Sequence, residues 1–172
     1  MTHRVVITGM GAISPLGIGR ESVADSLLAG QSGIRPIERF DTTPFSLRLG
    51  GEVRGFRPTD FISARTVRRM DRLSTMVTAA ARMAVEDARI DLENRDSSRM
   101  GIVMGTAYGA TDVASQFAAT LFTEGPRWVN PILVPNTVMN APAGHAAIEL
   151  GLNGINSTVN HRETSAETAI AY

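Results

Sequence analysis

Apolar positions change period several times along the chain, and each change predicts an element. Arg4-Val5-Val6-Ile7-Thr8 is β-branched and bounded by glycine, which predicts a buried strand. It opens into Gly9-Met10-Gly11-Ala12-Ile13-Ser14-Pro15-Leu16-Gly17, a loop of residues that permit unusual backbone angles. Glu21–Leu28 reads as a short helix with Val23, Leu27 and Leu28 inward and Gly30 as its stop. From Gln31 to Asp60 the pattern breaks into Pro, Gly, Arg and isolated aromatics, a surface excursion holding one short strand, Leu47–Val53. Asp71–Ala88 is the clearest helix: Leu73, Met76, Val77, Ala80, Met83, Ala84 and Ala88 fall at three- and four-residue steps. The small residues of that face allow another backbone to approach closely, which suits a helix packed inside the molecule.

The second half continues the alternation. Met100–Met104, closed by Gly105, predicts a strand, and Thr111–Phe122 a helix followed by a turn at Gly125-Pro126-Arg127-Trp128. Asn130-Pro131 and Val134-Pro135-Asn136 predict an extended segment ahead of a helix over Pro142–Leu150. Ser157–Val159 reads as a third strand and Thr164–Tyr172 as a helix without a closing cap. Strands alternating with helices predict an α/β protein with a mostly parallel sheet. The last helix returns to no further strand, so the pattern predicts a fragment or one piece of a split protein rather than a small domain that ends in a helix.

Composition narrows the chemistry. The 172 residues are 43% hydrophobic and 20% charged, which excludes wholesale disorder. Seventeen basic residues balance seventeen acidic ones, against a nucleic-acid binder held by phosphate neutralisation. No apolar run approaches membrane-spanning length, and Val5-Val6-Ile7 is too short for a signal peptide, so a cytoplasmic chain with no membrane partner is expected. Without cysteine there is no disulfide, thiolate metal site or cysteine nucleophile. Every basic residue is arginine, which removes Schiff-base chemistry and the phosphate-loop lysine together.

Three motifs carry candidate chemistry. Thr8-Gly9-Met10-Gly11 opens like a dinucleotide fingerprint, but Ser14 stands where the third glycine belongs, and Ala29-Gly30 where an acidic residue should end a second strand. It reads instead as a tight glycine turn that lets a strand end pack closely. His145 has only Glu149 a helical turn away and no other partner at metal-ligand spacing, so it reads as a buried, hydrogen-bonded histidine orienting a helix. His3 reads as a surface residue beside the terminus. Asn160-His161-Arg162-Glu163-Thr164-Ser165 lies between a short strand and a helix start, where a doubly wound sheet presents its reactive groups. The residues alone leave two readings open: a reactive cluster, or a solvated loop in which Thr164 or Ser165 caps the helix with Glu167 following.

Several of these stretches, taken in order, resemble the β-ketoacyl-acyl-carrier-protein synthases, the thiolase-fold condensing enzymes. They are Val5 through Gly17, Gly105-Thr106-Ala107-Tyr108-Gly109, the run from Asn130-Pro131 through Val134-Pro135-Asn136 and Asn140 to Gly144-His145, and Gly151-Leu152-Asn153-Gly154. The resemblance covers essentially all 172 residues but less than half of a family chain. It implies one N-terminal ketosynthase-like segment over residues 1–172, an incomplete half of the layered αβαβα core, with the remainder supplied by another chain or missing. Members with condensing activity carry a cysteine before Thr-Ser at a buried helix start; here Glu163 precedes Thr164-Ser165. A helix N-terminus stabilises a thiolate, and the backbone N–H there contributes to an oxyanion hole, but a carboxylate is a poor acyl acceptor. The family's two catalytic histidines and its lysine belong to the later half.

Loss of the cysteine resembles the chain-length factors of type II polyketide synthases, although their usual substitute is glutamine and Arg162 departs from the family's small residue. Such a subunit pairs with a cysteine-bearing ketosynthase, receives acyl chains from an acyl carrier protein, and shapes the shared acyl tunnel. By resemblance, Tyr108, Gln116 and an extended Leu133 are the tunnel and interface candidates. Arg162, Thr164 and Ser165 are structural residues near the site, with Arg162 neutralising Glu163. No catalytic residue, metal or cofactor is expected on this chain. The alternative reading is part of a β-ketoacyl-ACP synthase or malonyl-ACP decarboxylase whose catalytic histidines lie on another chain; a third is a truncated product with only a packing role. Because the last helix has no return strand, stability only with a partner is expected, either the missing half or a ketosynthase.

Overall fold

The structure, a computed structural model, describes residues 4–172; His3 lies outside them. The described chain forms two compact units, residues 4–57 with 80–90 and residues 58–79 with 91–172. In the first unit, β1 (Ile13–Ser14) turns through Pro15-Leu16 into antiparallel β2 (Gly17–Ile18), so the glycine-rich loop is a tight hairpin. Helix α1 (Arg20–Leu28) follows, anchored by the buried Ser26 hydroxyl, which donates to the Leu16 carbonyl at 3.0 Å. The excursion holds two strands where one was expected: β3 (Ile34–Pro36) pairs antiparallel with β4 (Leu49–Gly51). Proline at its end hid β3 from a propensity reading.

The second unit begins with a 3-10 turn at Pro58–Asp60 and helix α2 (Ala64–Val67), whose cap Ser63 accepts the Thr66 N–H. Helix α3 (Arg72–Asp87) contributes its first half to this unit and its second half to the other. Strand β5 (Ile102–Gly105), helix α4 (Thr111–Thr123), helix α5 (Ala141–Leu150), strand β6 (Asn156–Val159) and helix α6 (Ser165–Ala171) complete it. β5 and β6 pair in parallel, from Ile102 opposite Asn156 to Gly105 opposite Val159. Parallel strands need a long crossover, supplied here by α4 and α5. The core around the pair is small and apolar: Met104, Val113, Ala143, Ala146, Ala147, Leu150 and Val159 are all buried.

Several expectations need correction. Residues 4–8 do not form a strand: Val5 is 91% exposed and no ladder pairs with it among the described residues. A β-branched run has the propensity but not the hydrogen bonds until a neighbour supplies them. Leu27 and Leu28 face outward while Ser26 is the buried position of α1. The buried side of α3 is Ser74, Thr75, Thr78 and Ala79, and the expected apolar face is only half-buried. Small side chains permit the closest packing, so size outweighs polarity there. The segment after Asn130 is helical rather than extended: Pro131–Asn136 forms a 3-10 turn, with Asn130 Oδ1 accepting the Ile132 N–H at 3.0 Å and Pro131 preset for the first position.

The alanine side of α3 does receive another backbone. A Cβ on Gly9 would fall on the Ala84 carbonyl and the Ala88 backbone, and one on Gly11 on the Ala80 carbonyl. Asp87 completes the contact, accepting the Met10 N–H at 2.9 Å and pairing with Arg20 at 3.0 Å. The glycine turn therefore serves close packing, although the segment it brings against α3 is not the strand end that was expected. Gly11→Ala is expected to cost about 1–3 kcal/mol by overpacking, read as a lower denaturation midpoint.

Helix ends supply a second test. α1 and α5 close with left-handed Gly30 and Gly151, each with the paired backbone bonds of a Schellman turn. α3 closes the same way, Ile90 N–H on Val85 O and Arg89 N–H on Glu86 O, but with Arg89 at φ 53°. Arg89→Gly relieves the left-handed strain and is expected to stabilise the fold by about 0.5–1 kcal/mol, seen as a raised midpoint in the same measurement.

Candidate functional site

Both parallel strands end at the same edge, and the polar cluster singled out in the sequence sits there. Asn160, the first residue after β6, donates from Nδ2 to the Ala107 carbonyl beyond β5 at 3.2 Å. Its Oδ1 accepts the Arg162 N–H at 3.3 Å, which starts a tight turn with Arg162 at φ 53°. A 3-10 turn, Arg162–Thr164, then leads into α6. Ser165 is 3% exposed and its hydroxyl ties the junction together: it accepts the His161 N–H at 2.9 Å and lies 3.0 Å from the Thr106 carbonyl and 2.6 Å from that of Arg162. Gly105 packs directly under Ser165, since a Cβ there would meet the Ser165 carbonyl.

These bonds correct the capping expectation. Thr164 precedes α6 but donates its hydroxyl back to the His161 carbonyl at 3.1 Å and caps nothing. Ser165 likewise serves the turn behind it, because the left-handed Arg162 folds His161 back over the helix start. Glu163 stands on this turn with its side chain exposed, and no ion pair joins it to Arg162 among the described residues. His161 is exposed, its Nδ1 3.4 Å from the Thr168 hydroxyl.

Beside the junction lies an open groove of about 480 Å³ lined by Thr137, Val138, Met139, Asn140, Thr158 and Asn160. Asn160 Nδ2 also reaches the Met139 sulfur at 3.1 Å, so one amide links the groove wall to the strand end. None of the three tunnel candidates is among the residues that line this groove. Tyr108 is 82% exposed in the loop before α4, Gln116 is exposed on α4, and Leu133 is half-buried on the 3-10 turn that packs against α4.

Behind the groove wall is a polar relay the sequence reading did not find. Asn136 is 2% exposed; its Nδ2 donates to the Arg69 carbonyl at 3.0 Å and its Oδ1 lies 2.7 Å from His145 Nε2. The amide orientation makes Nε2 the protonated nitrogen, because the amide oxygen can only accept. His145 is hydrogen-bonded as expected, but half-buried rather than buried. Only an asparagine nine residues before a histidine marked the relay in sequence, which no periodicity distinguishes. Asp71 closes the cluster, one carboxylate oxygen accepting the Ser74 N–H at 3.0 Å.

Burial holds His145 below its ordinary pKa of 6.5, with the Asp71 charge opposing. A depressed histidine stays neutral in the fold while the unfolded chain takes up a proton. Its contribution to stability is therefore complete above the ordinary value and is lost as pH falls through the folded one. Denaturation at about pH 7.5 and about pH 5.5 should show a smaller acid loss in His145→Gln than in the parent. Equal losses would remove His145 from the pH dependence.

Comparison with known proteins follows the same architecture. The chain is 40% identical to the 3-oxoacyl-[acyl-carrier-protein] synthase 2 of Vibrio cholerae over 158 residues, 92% of this chain and 38% of that protein. It is 39% identical to the synthase of the same name from Staphylococcus aureus strain N315 over 153 residues, 89% of this chain and 37% of that one. Among solved structures, the ishigamide ketosynthase/chain length factor matches with a TM-score of 0.82 and 33% identity, over 90% of this chain and 39% of that one. A β-ketoacyl synthase from Burkholderia phymatum STM815 matches in fold, with a TM-score of 0.80 at 24% identity over 99% of this chain and 42% of that one. The chain thus spans well under half the length of these relatives. Residues 2–172 match the family described as "Beta-ketoacyl synthase, N-terminal domain". With the parallel strand pair and its strand–helix junction, this places the chain in the β-ketoacyl synthase family, as its N-terminal, thiolase-fold domain.

Proposed function

We propose that the chain is the N-terminal part of a chain-length-factor type subunit, one that pairs with a cysteine-bearing ketosynthase in type II polyketide or fatty acid biosynthesis and shapes the shared acyl tunnel. The carrying observation is Glu163 on the strand–helix junction of a chain with no cysteine anywhere in its 172 residues. An exposed carboxylate there is a poor acyl acceptor from a thioester. The likeness to the ishigamide ketosynthase/chain length factor supports the class. An acyl carrier protein is the expected source of the acyl chain, and the remainder of the fold comes with the rest of the subunit or from another chain. Tyr108, Gln116 and Leu133 remain the candidates that meet the growing chain at the subunit interface.

The second reading is a segment of a synthase or malonyl-ACP decarboxylase whose histidines lie elsewhere, favoured by 40% identity to a protein named as a synthase. Glu163→Gln in the assembled complex separates the two. The first reading expects product formation within a few-fold of the parent and a moderate change in complex stability. Complete loss of turnover in an assembled complex, measured by chromatography of the products, would overturn the first reading.

A further inference from the structure

We infer that the Arg69–Asn136–His145 relay positions the groove wall at residues 137–140 and so sets the acyl length that the groove accepts; this rests on the chain-length-factor reading. Asn136 is held at both ends of its amide, by the carbonyl of Arg69 ahead of α3 and by His145 from α5. The next four residues, Thr137 to Asn140, line the groove, and α5 begins at Ala141. The wall is therefore a short span between two fixed points, and α5 carries the histidine that holds the other end. Local bonds leave little slack: Thr137 N–H and hydroxyl both reach the Val134 carbonyl, and Ala141 N–H reaches that of Val138.

Val138 and Met139 present half-exposed apolar side chains, the chemistry that meets an apolar acyl chain. Met139 is tied in turn to Asn160 at the junction. A shift of Asn136 thus moves both the apolar lining and its distance from the strand–helix junction. Neither Asn136 nor His145 lines the groove, so both are positioning residues. A purely structural role would lower the amount of complex without changing which product it makes.

The experiment uses the full-length subunit assembled with its ketosynthase. His145→Phe keeps an aromatic ring and removes the donor to Asn136; His145→Gln keeps an N–H donor at the same reach. In the phenylalanine variant, backbone hydrogen exchange at residues 137–140 should be about tenfold faster and the product length distribution should shift. The glutamine variant should restore both. Unchanged exchange or an unchanged product distribution in an assembled phenylalanine variant overturns the inference, as does a glutamine variant disturbed equally. If the phenylalanine variant does not assemble, Asn136→Leu decides by the same two readouts, because it is close in volume, adds no charge and removes both ends of the relay. The exchange readout is independent of the acyl reading, so failure of that reading shows separately as loss of turnover in Glu163→Gln.

Discussion

The parallel ladder between β5 and β6 is the constraint on which the site depends. Two strands of four residues have few hydrogen bonds of their own, and what they organise lies beyond their ends. Because they run the same way, the loops that follow them emerge together, and Asn160 and Ser165 reach the carbonyls of Ala107 and Thr106 across the gap. An antiparallel pairing would have sent one of those loops to the opposite edge. The position of Glu163 is thus a consequence of strand direction before it is a matter of its own chemistry.

Packing of the elements is decided by backbone approach more than by apolar area. Gly9 and Gly11 lie against the alanine side of α3, and Gly105 lies under Ser165, each where no Cβ fits. The buried side of α3 in the second unit is Ser74, Thr75, Thr78 and Ala79, and the hydroxyls of Ser74 and Thr78 are buried without a hydrogen-bond partner among the described residues. A buried unpartnered hydroxyl is unfavourable by about 1–3 kcal/mol. Closeness of approach at these positions is maintained against that cost. The same helix shows both sides of the rule, since its larger Leu73, Met76 and Val77 stay half-exposed.

Within the site, hydrogen bonding replaces charge pairing. Arg162 and Glu163 are adjacent and opposite in sign, yet each is exposed, while the uncharged Asn160 and Ser165 make the bonds that shape the turn. Exposed ion pairs contribute little in water, whereas an amide or hydroxyl that satisfies several backbone groups fixes a geometry. Asn136 does the same behind the groove, one side chain linking α5 to the residues before α3.

Local sequence determined what depends on near neighbours. The helices at 72–87, 111–123 and 141–150, strand β5 with Gly105 at its end, the stop of α1 at Gly30, and the place of the polar cluster after β6 all follow from periodicity and turn chemistry over a few residues. The family resemblance was legible for the same reason, since its motifs are contiguous. Only the tertiary structure decided what depends on residues far apart: that Val5 to Thr8 carries no ladder, that α3 buries its small polar side, and that residues 131–136 coil. It also decided that Ser165 turns back to His161 and Thr106, and that Asn136 joins Arg69, 67 residues away, to His145. Strand pairing and buried polar partners are settled by which groups meet in space, and a single chain of letters does not record those meetings.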